Sequence, residues 1–100
     1  MESGYKILWT DHALFELEST LQYIESNFSK KELRNISKQI DSIIYLISIN
    51  PYLFQESENK KGVRKAVILK YNSMYYRVMN DTIEILSFFS NRQNPDKVEL

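Results

Sequence analysis

Three kinds of side chain in this sequence could act on a ligand, and the cations are the most concentrated. Lys60, Lys61, Arg64, Lys65 and Lys70 follow one another with no acid among them, a density that can hold phosphate oxygens. The same cluster is equally what a solvated loop and strand edge carry, since lysines discourage sheet-to-sheet association. Arg77 follows Tyr75-Tyr76; it either pairs with Glu84 across a hairpin or belongs to a target site. Arg92 lies in a polar stretch where a charge stays solvated without penalty, which favours a role in function. His12 is the only histidine and cysteine is absent. A thiol nucleophile, a cysteine-ligated zinc and a multi-histidine metal site are therefore excluded, and a Ser-His-Asp triad could run only through His12. Near the start of an acidic helix, His12 reads as a solvated first-turn residue. Glu16 and Glu18, two apart on a helix, face different directions and cannot form a carboxylate pair. Two glycines leave no glycine-rich phosphate loop.

These residues need a scaffold, and the chain has material for one. Its 100 residues, 43% hydrophobic and 26% charged, suit a single domain with one core. The longest apolar run, Ile43-Ile44-Tyr45-Leu46-Ile47, is far short of a membrane span or a signal-peptide core, so a cytoplasmic protein is expected. The formal net charge of zero conceals a division: residues 1–29 carry −4, residues 30–77 carry +6 and residues 78–100 carry −2.

Tyr5, Ile7 and Trp9 alternate with Lys6, Leu8 and Thr10, the period of a strand. Thr10 then stands where a helix N-cap belongs, with Asp11 in the first turn. Leu14, Leu17, Leu21, Ile24 and Phe28 recur at three and four, predicting one apolar stripe. Ser29-Lys30-Lys31-Glu32 reads as a capping box. The second helix places Leu33, Ile36, Ile40, Ile43, Ile44 and Ile47 on one face, with Ile40 and Ile43 expected at its buried centre, and ends at Asn50-Pro51. So short a connection predicts an antiparallel helix hairpin. After a polar loop over 51–62, strands are expected over 63–69, 74–79 and 82–89, with turns at Tyr71-Asn72-Ser73 and Asn80-Asp81. The aromatics of these strands are expected to pack in the core. The fold class is α+β, ordered β-α-α-β-β-β, with the helix hairpin packed on one face of an antiparallel sheet.

The landmarks are Tyr5-Lys6-Ile7-Leu8-Trp9-Thr10 with Ala13, Asn50-Pro51, Val63-Arg64-Lys65-Ala66-Val67, Met74-Tyr75-Tyr76-Arg77-Val78, Thr82-Ile83-Glu84-Ile85-Leu86 and Asn91-Arg92-Gln93-Asn94-Pro95. In this order and spacing, over nearly the whole chain, the sequence resembles the ParE/RelE superfamily, toxins of type II toxin–antitoxin systems. The resemblance implies one toxin domain over residues 1–100, with a polar tail from Ser90, held silent by a cognate antitoxin. It implies no metal and no cofactor.

Members of that superfamily differ in target. RelE-like members cut mRNA on the ribosome; ParE-like members bind and inhibit DNA gyrase. Cleavage through a 2′-hydroxyl needs a proton acceptor, a proton donor and cations for the developing charge. RelE-like toxins carry an arginine early in the middle meander strand and an Arg-Tyr or His-Tyr group near the C-terminus. Here Ser73 or Met74 stands at the first position, Ser87-Phe88-Phe89-Ser90 holds no histidine, and no tyrosine follows Tyr76. What remains is Arg64, Lys65, Arg77 and Arg92. In a ParE-like protein these four would bind the target; in a RelE-like endonuclease they would be the catalytic set. The near-neutral pI of 6.6 and the missing acid–base pair favour the binder. A member that has lost toxicity and persists as an antitoxin-bound module is a third expectation. Phe15, Tyr23 and Tyr45 fall off the apolar stripes or at their edges, and are expected to form the antitoxin-binding surface.

Overall fold

Thr10 joins the first strand to the first helix with both halves of its hydroxyl. Its Oγ1 accepts from the Ala13 amide at 3.2 Å and donates to the Ile85 carbonyl at 2.9 Å, so the N-cap is also pinned to the last strand. The computed structural model describes residues 4–90. Its elements are β1 (Lys6–Trp9), α1 (Asp11–Asn27), α2 (Lys30–Ile49), β2 (Arg64–Ile68), β3 (Asn72–Met79) and β4 (Thr82–Ser90). Ser29 caps α2 as expected, its Oγ accepting from the Glu32 amide at 3.2 Å. Asn50, followed by Pro51, closes it.

The strand order is β1-β4-β3-β2, and the sheet is mixed. β2, β3 and β4 form the expected antiparallel meander, but β1 lies parallel to β4, which corrects the wholly antiparallel sheet. The helix hairpin is the reason. It returns the chain to the level where β1 began, with the Tyr5 amide donating to the Ser48 carbonyl at 2.8 Å. β2 therefore starts in the direction of β1, and a meander gives β4 the direction of β2.

The core holds Ala13 and Ile24 of α1, Ile36, Ile40 and Ile47 of α2, and Ala66, Ile68, Met74, Tyr76, Ile83, Ile85 and Phe88 of the sheet. On α2 the expected face is the buried one, although Ile43 is only half-buried. On α1 the stripe is rotated. Leu14 and Phe28 are exposed, while Ala13 and Thr20 are buried with Ile24, flanked by the half-buried Leu17 and Leu21. Small residues let α1 lie close to the sheet, and the Thr20 hydroxyl is satisfied by donating to the Glu16 carbonyl at 2.9 Å, which removes the penalty of burying it.

The two hairpin turns differ in how closely they follow the sequence pattern. Asn80 takes a left-handed φ of 53° in the Asn80-Asp81 turn, as a two-residue hairpin asks. The β2–β3 turn instead occupies residues 69–71, with Leu69 at φ 58°. Asn72 and Ser73 belong to β3, because the Asn72 side chain donates back to the Ile68 carbonyl at 3.2 Å and closes the turn from inside. A bulge interrupts the β3–β4 ladder: Tyr75 opposes Ser87 and Tyr76 opposes Ile85, leaving Leu86 as the extra residue.

Candidate functional site

Strand period decides which side chains share a face. Ala66 and Ile68 of β2 and Met74 and Tyr76 of β3 point to the helices. Lys65 and Val67 of β2 and Ser73, Tyr75 and Arg77 of β3 therefore line the face away from them. Arg64 and Lys65, adjacent in sequence, are on opposite faces, so the structure does not bring them together.

Arg64 lies on the helix side, opposite Tyr76, and clamps the segment after α2. Its Nη1 donates to the Phe54 carbonyl at 2.7 Å, its guanidinium carbon lies 4.8 Å from the centroid of the Tyr52 ring, and Nη2 is 4.0 Å from Glu56 Oε2. The clamp aligns residues 55–57 with the free edge of β2. The Lys65 amide donates to the Gln55 carbonyl at 3.2 Å and the Ser57 amide to the Val63 carbonyl at 2.6 Å. What the sequence presents as a polar loop is thus a short finger, and the left-handed φ of 82° at Gly62 turns its tip.

On the outer face Lys65 is exposed and directly opposite Tyr75. Two grooves meet at the Tyr75 ring. One, of about 390 Å³, runs between the finger and β4 and is lined by Ser57, Asn59, Lys60, Val63, Leu86 and Ser87. The other, of about 380 Å³, follows the finger through Gln55, Glu56, Ser57, Glu58 and Asn59 to Lys65. The Tyr75 ring thus lies between two lysines, among hydroxyl and amide groups and the carboxylates of Glu56 and Glu58, an arrangement able to stack on and hydrogen-bond a polar group. Two residues along β3, Arg77 has its Nε 2.8 Å from Glu84 Oε1, the cross-strand pair that the sequence leaves open. Among the described residues, no group of three histidines, cysteines or acids could hold a metal ion, and no helix is long and apolar enough to cross a membrane.

Sequence reasoning misses two residues here. Tyr75 falls among the aromatics expected in the core, yet two neighbours in a strand cannot both face inward. With Tyr76 buried and its hydroxyl donating to the Pro51 carbonyl at 2.9 Å, Tyr75 has to face out. Glu16 is the other. β1 is too short to cover β4 beyond Ile85, and Glu16 Oε1 takes its place, accepting from the Phe88 amide and the Ser87 hydroxyl, both at 2.8 Å. This fixes the bulge that forms one wall of the first groove. Exposed His12 places Nε2 3.3 Å from the same oxygen.

Glu16→Ala strips the acceptor from the Phe88 amide and is expected to destabilise the fold by about 1–3 kcal/mol. Urea denaturation measures the loss, and amide exchange should accelerate first at Ser87 and Phe88. Glu16→Gln keeps an acceptor oxygen and should retain most of the protection.

Of the three aromatics expected to form an antitoxin surface, Phe15 and Tyr45 are 68% and 63% exposed. Tyr23 is half-buried, its ring in edge contact with Phe28 at 6.0 Å. Arg92 lies outside the described residues.

No protein-family model matches the chain, and no curated relative matches it in sequence. Solved structures do. A chain of the chromosomal ParDE toxin–antitoxin system from P. aeruginosa superposes with a TM-score of 0.71 at 16% identity, covering 86% of this chain and 95% of that one. A chain of the YoeB dimer from Staphylococcus aureus gives 0.59 at 19% identity over 85% and 94% of the two chains. A chain of the E. coli DinJ–YafQ toxin–antitoxin complex gives 0.56 at 10% identity over 92% and 98%. The chain shares its fold with these chains of the ParDE and DinJ–YafQ toxin–antitoxin systems and of the YoeB dimer.

Proposed function

We propose that this chain is the toxin of a type II toxin–antitoxin system, that it acts in the ParE manner by binding a topoisomerase-type target, DNA gyrase, and that a cognate antitoxin silences it. The observation that carries the choice of mechanism is the Arg77–Glu84 pair at 2.8 Å. An arginine neutralised by a carboxylate on the same face offers little net charge to a scissile phosphate. It remains a planar set of donors suited to a protein surface. The likeness to the ParDE chain along most of both lengths supports the same choice. Phe15 and Tyr45, with Tyr23 at the margin, supply the aromatic surface on which an amphipathic antitoxin helix would close.

The RelE-like endonuclease is the second reading, and Lys65 opposite Tyr75 beside Lys60 favours it. A ring flanked by cations suits a stacked base and its phosphate. Two assays on the purified protein separate the readings: DNA supercoiling by gyrase, and cleavage of mRNA on programmed ribosomes. The expected result is loss of supercoiling near stoichiometric toxin and intact mRNA. Codon-dependent cuts with unaffected gyrase would replace the binder by the endonuclease. Silence in both assays would favour a module that has lost toxicity.

A further inference from the structure

The outward faces of the two helices are charged with opposite sign. α1 has no lysine or arginine along its length, whereas α2 carries Lys30, Lys31, Arg34 and Lys38 in its first half. Burial of Ala13, Thr20 and Ile24 turns Asp11, Phe15, Glu18, Gln22 and Glu25 of α1 outward, and burial of Ile36, Ile40 and Ile47 does the same for Lys31, Arg34, Lys38, Asp41, Tyr45 and Ile49 of α2. Acids and aromatic of one helix thus lie alongside bases and aromatic of the other. A groove of about 280 Å³ runs between them, with Leu21 and Leu33 among its lining.

We propose that this face binds a second copy of the same chain, in a two-fold dimer whose axis runs parallel to the helices. Such an axis lays α1 of one copy over α2 of the other without shifting either along its length, and makes every contact twice. Height above the hairpin turn then decides the partners. With a rise of about 1.5 Å per residue, Glu18 lies roughly 13 Å from the end of α1 and Lys38 roughly 12 Å from the start of α2. Glu18 of one copy therefore meets Lys38 of the other, and Glu25 meets Lys31 or Arg34. At the far end Phe15 approaches Tyr45, with Ile49, 56% exposed, beside them. The facing helices run antiparallel, so their dipoles also attract. Opposite charges meet at the hairpin-turn end and the aromatics at the other, where the exposed Asp41, roughly 16 Å from the start of α2, and Asp11, roughly 24 Å from the end of α1, offset part of the gain. The alternative two-fold, perpendicular to the helices, would set acid on acid or apolar surface on charge.

The dimer does not rest on the toxin reading, but it would occupy Phe15 and Tyr45 and so compete with an antitoxin helix there. Sedimentation equilibrium of the full chain tests it. The wild type should approach twice its 11.9 kDa mass as concentration rises. Glu18→Lys and Lys38→Glu, both at exposed positions, should keep the wild-type circular dichroism and each raise the dimer dissociation constant about tenfold, since each turns two attractions into repulsions. Mixing the two variants should restore association as a heterodimer. There the two substituted positions face each other with their charges exchanged, and the second contact is the native pair of Glu18 and Lys38. A wild type that stays monomeric would overturn the dimer and leave the face to an antitoxin helix. Variants as dimeric as the wild type, or a mixture that stays monomeric, would place any association on another surface and overturn it equally.

Discussion

Tyr76→Ala is expected to destabilise the protein by about 3–5 kcal/mol, the range for truncating a large buried aromatic. Tyr76 is fully buried in the middle of the sheet, and its hydroxyl donates to the Pro51 carbonyl at 2.9 Å. It joins the core to the segment that leaves α2, so its loss opens a cavity and releases that segment together. Tyr76→Phe keeps the ring and removes only the donor, leaving the Pro51 carbonyl without it; about 1–2 kcal/mol is expected. The shift in urea midpoint at constant slope measures both. The same phenol makes the fold sensitive to alkali. Burial raises its pKa above the ordinary tyrosine value, against a smaller lowering by the Phe54 backbone hydrogen bond and the Arg64 charge. The unfolded chain then releases the Tyr76 proton at about pH 10 while the folded chain still holds it. The contribution is fully present below that pH and is lost as pH rises from there through the folded value. Tyr76→Phe should therefore flatten the alkaline limb of the stability profile. An unchanged limb would assign it to other groups.

The parts of the fold that local chemistry specifies are legible in the sequence. Thr10 and Ser29 cap their helices because a hydroxyl at that position has an orphan amide to accept from, and Asn80 turns the last hairpin because it tolerates a positive φ. The α2 stripe is legible because isoleucine at three- and four-residue spacing has one place to go. The α1 stripe misleads because its large side chains are not the most buried ones. Close packing against β4 instead selects Ala13 and a self-satisfied Thr20, and size alone does not reveal that. The parallel β1 is a property of the whole path of the chain, and the bulge at Leu86 carries no glycine to mark it. In the candidate site, Arg77 with Glu84 follows from hairpin register. The division of Arg64 from Lys65 is implied by strand period, which makes one of two neighbouring cations structural whenever the other faces solvent. Glu16 carries no signal, because its role exists only where β1 stops short of the end of β4.

Lys65→Ala and Tyr75→Ala should abolish most of the activity while leaving the fold intact, and this contrast bears directly on the proposed function. Lys65 is exposed and Tyr75 stands between the two grooves, so truncation removes contact surface without opening the core. A stability change within about 0.5 kcal/mol is expected for Lys65→Ala, as for ordinary surface positions. A central aromatic at a protein interface is commonly worth about 2 kcal/mol or more, so Tyr75→Ala should weaken target binding by roughly 30-fold. Tyr75→Phe should retain most of it if the ring is the anchor, and Lys65→Arg should retain part. Arg64→Ala is the internal comparison. It releases the Phe54 carbonyl and the Tyr52 ring on the opposite face, so its effect should appear as lost stability of the finger and recover on cooling, whereas the Tyr75 defect should persist. For an endonuclease the pattern differs: Lys65→Ala and Arg92→Ala would lower the cleavage rate by orders of magnitude at unchanged ribosome affinity, because transition-state charge rather than contact area is lost. Binding constants for gyrase and single-turnover cleavage rates on ribosomes, measured on the same set of variants, distinguish the two. Full activity in both Lys65→Ala and Tyr75→Ala would remove this face from the mechanism.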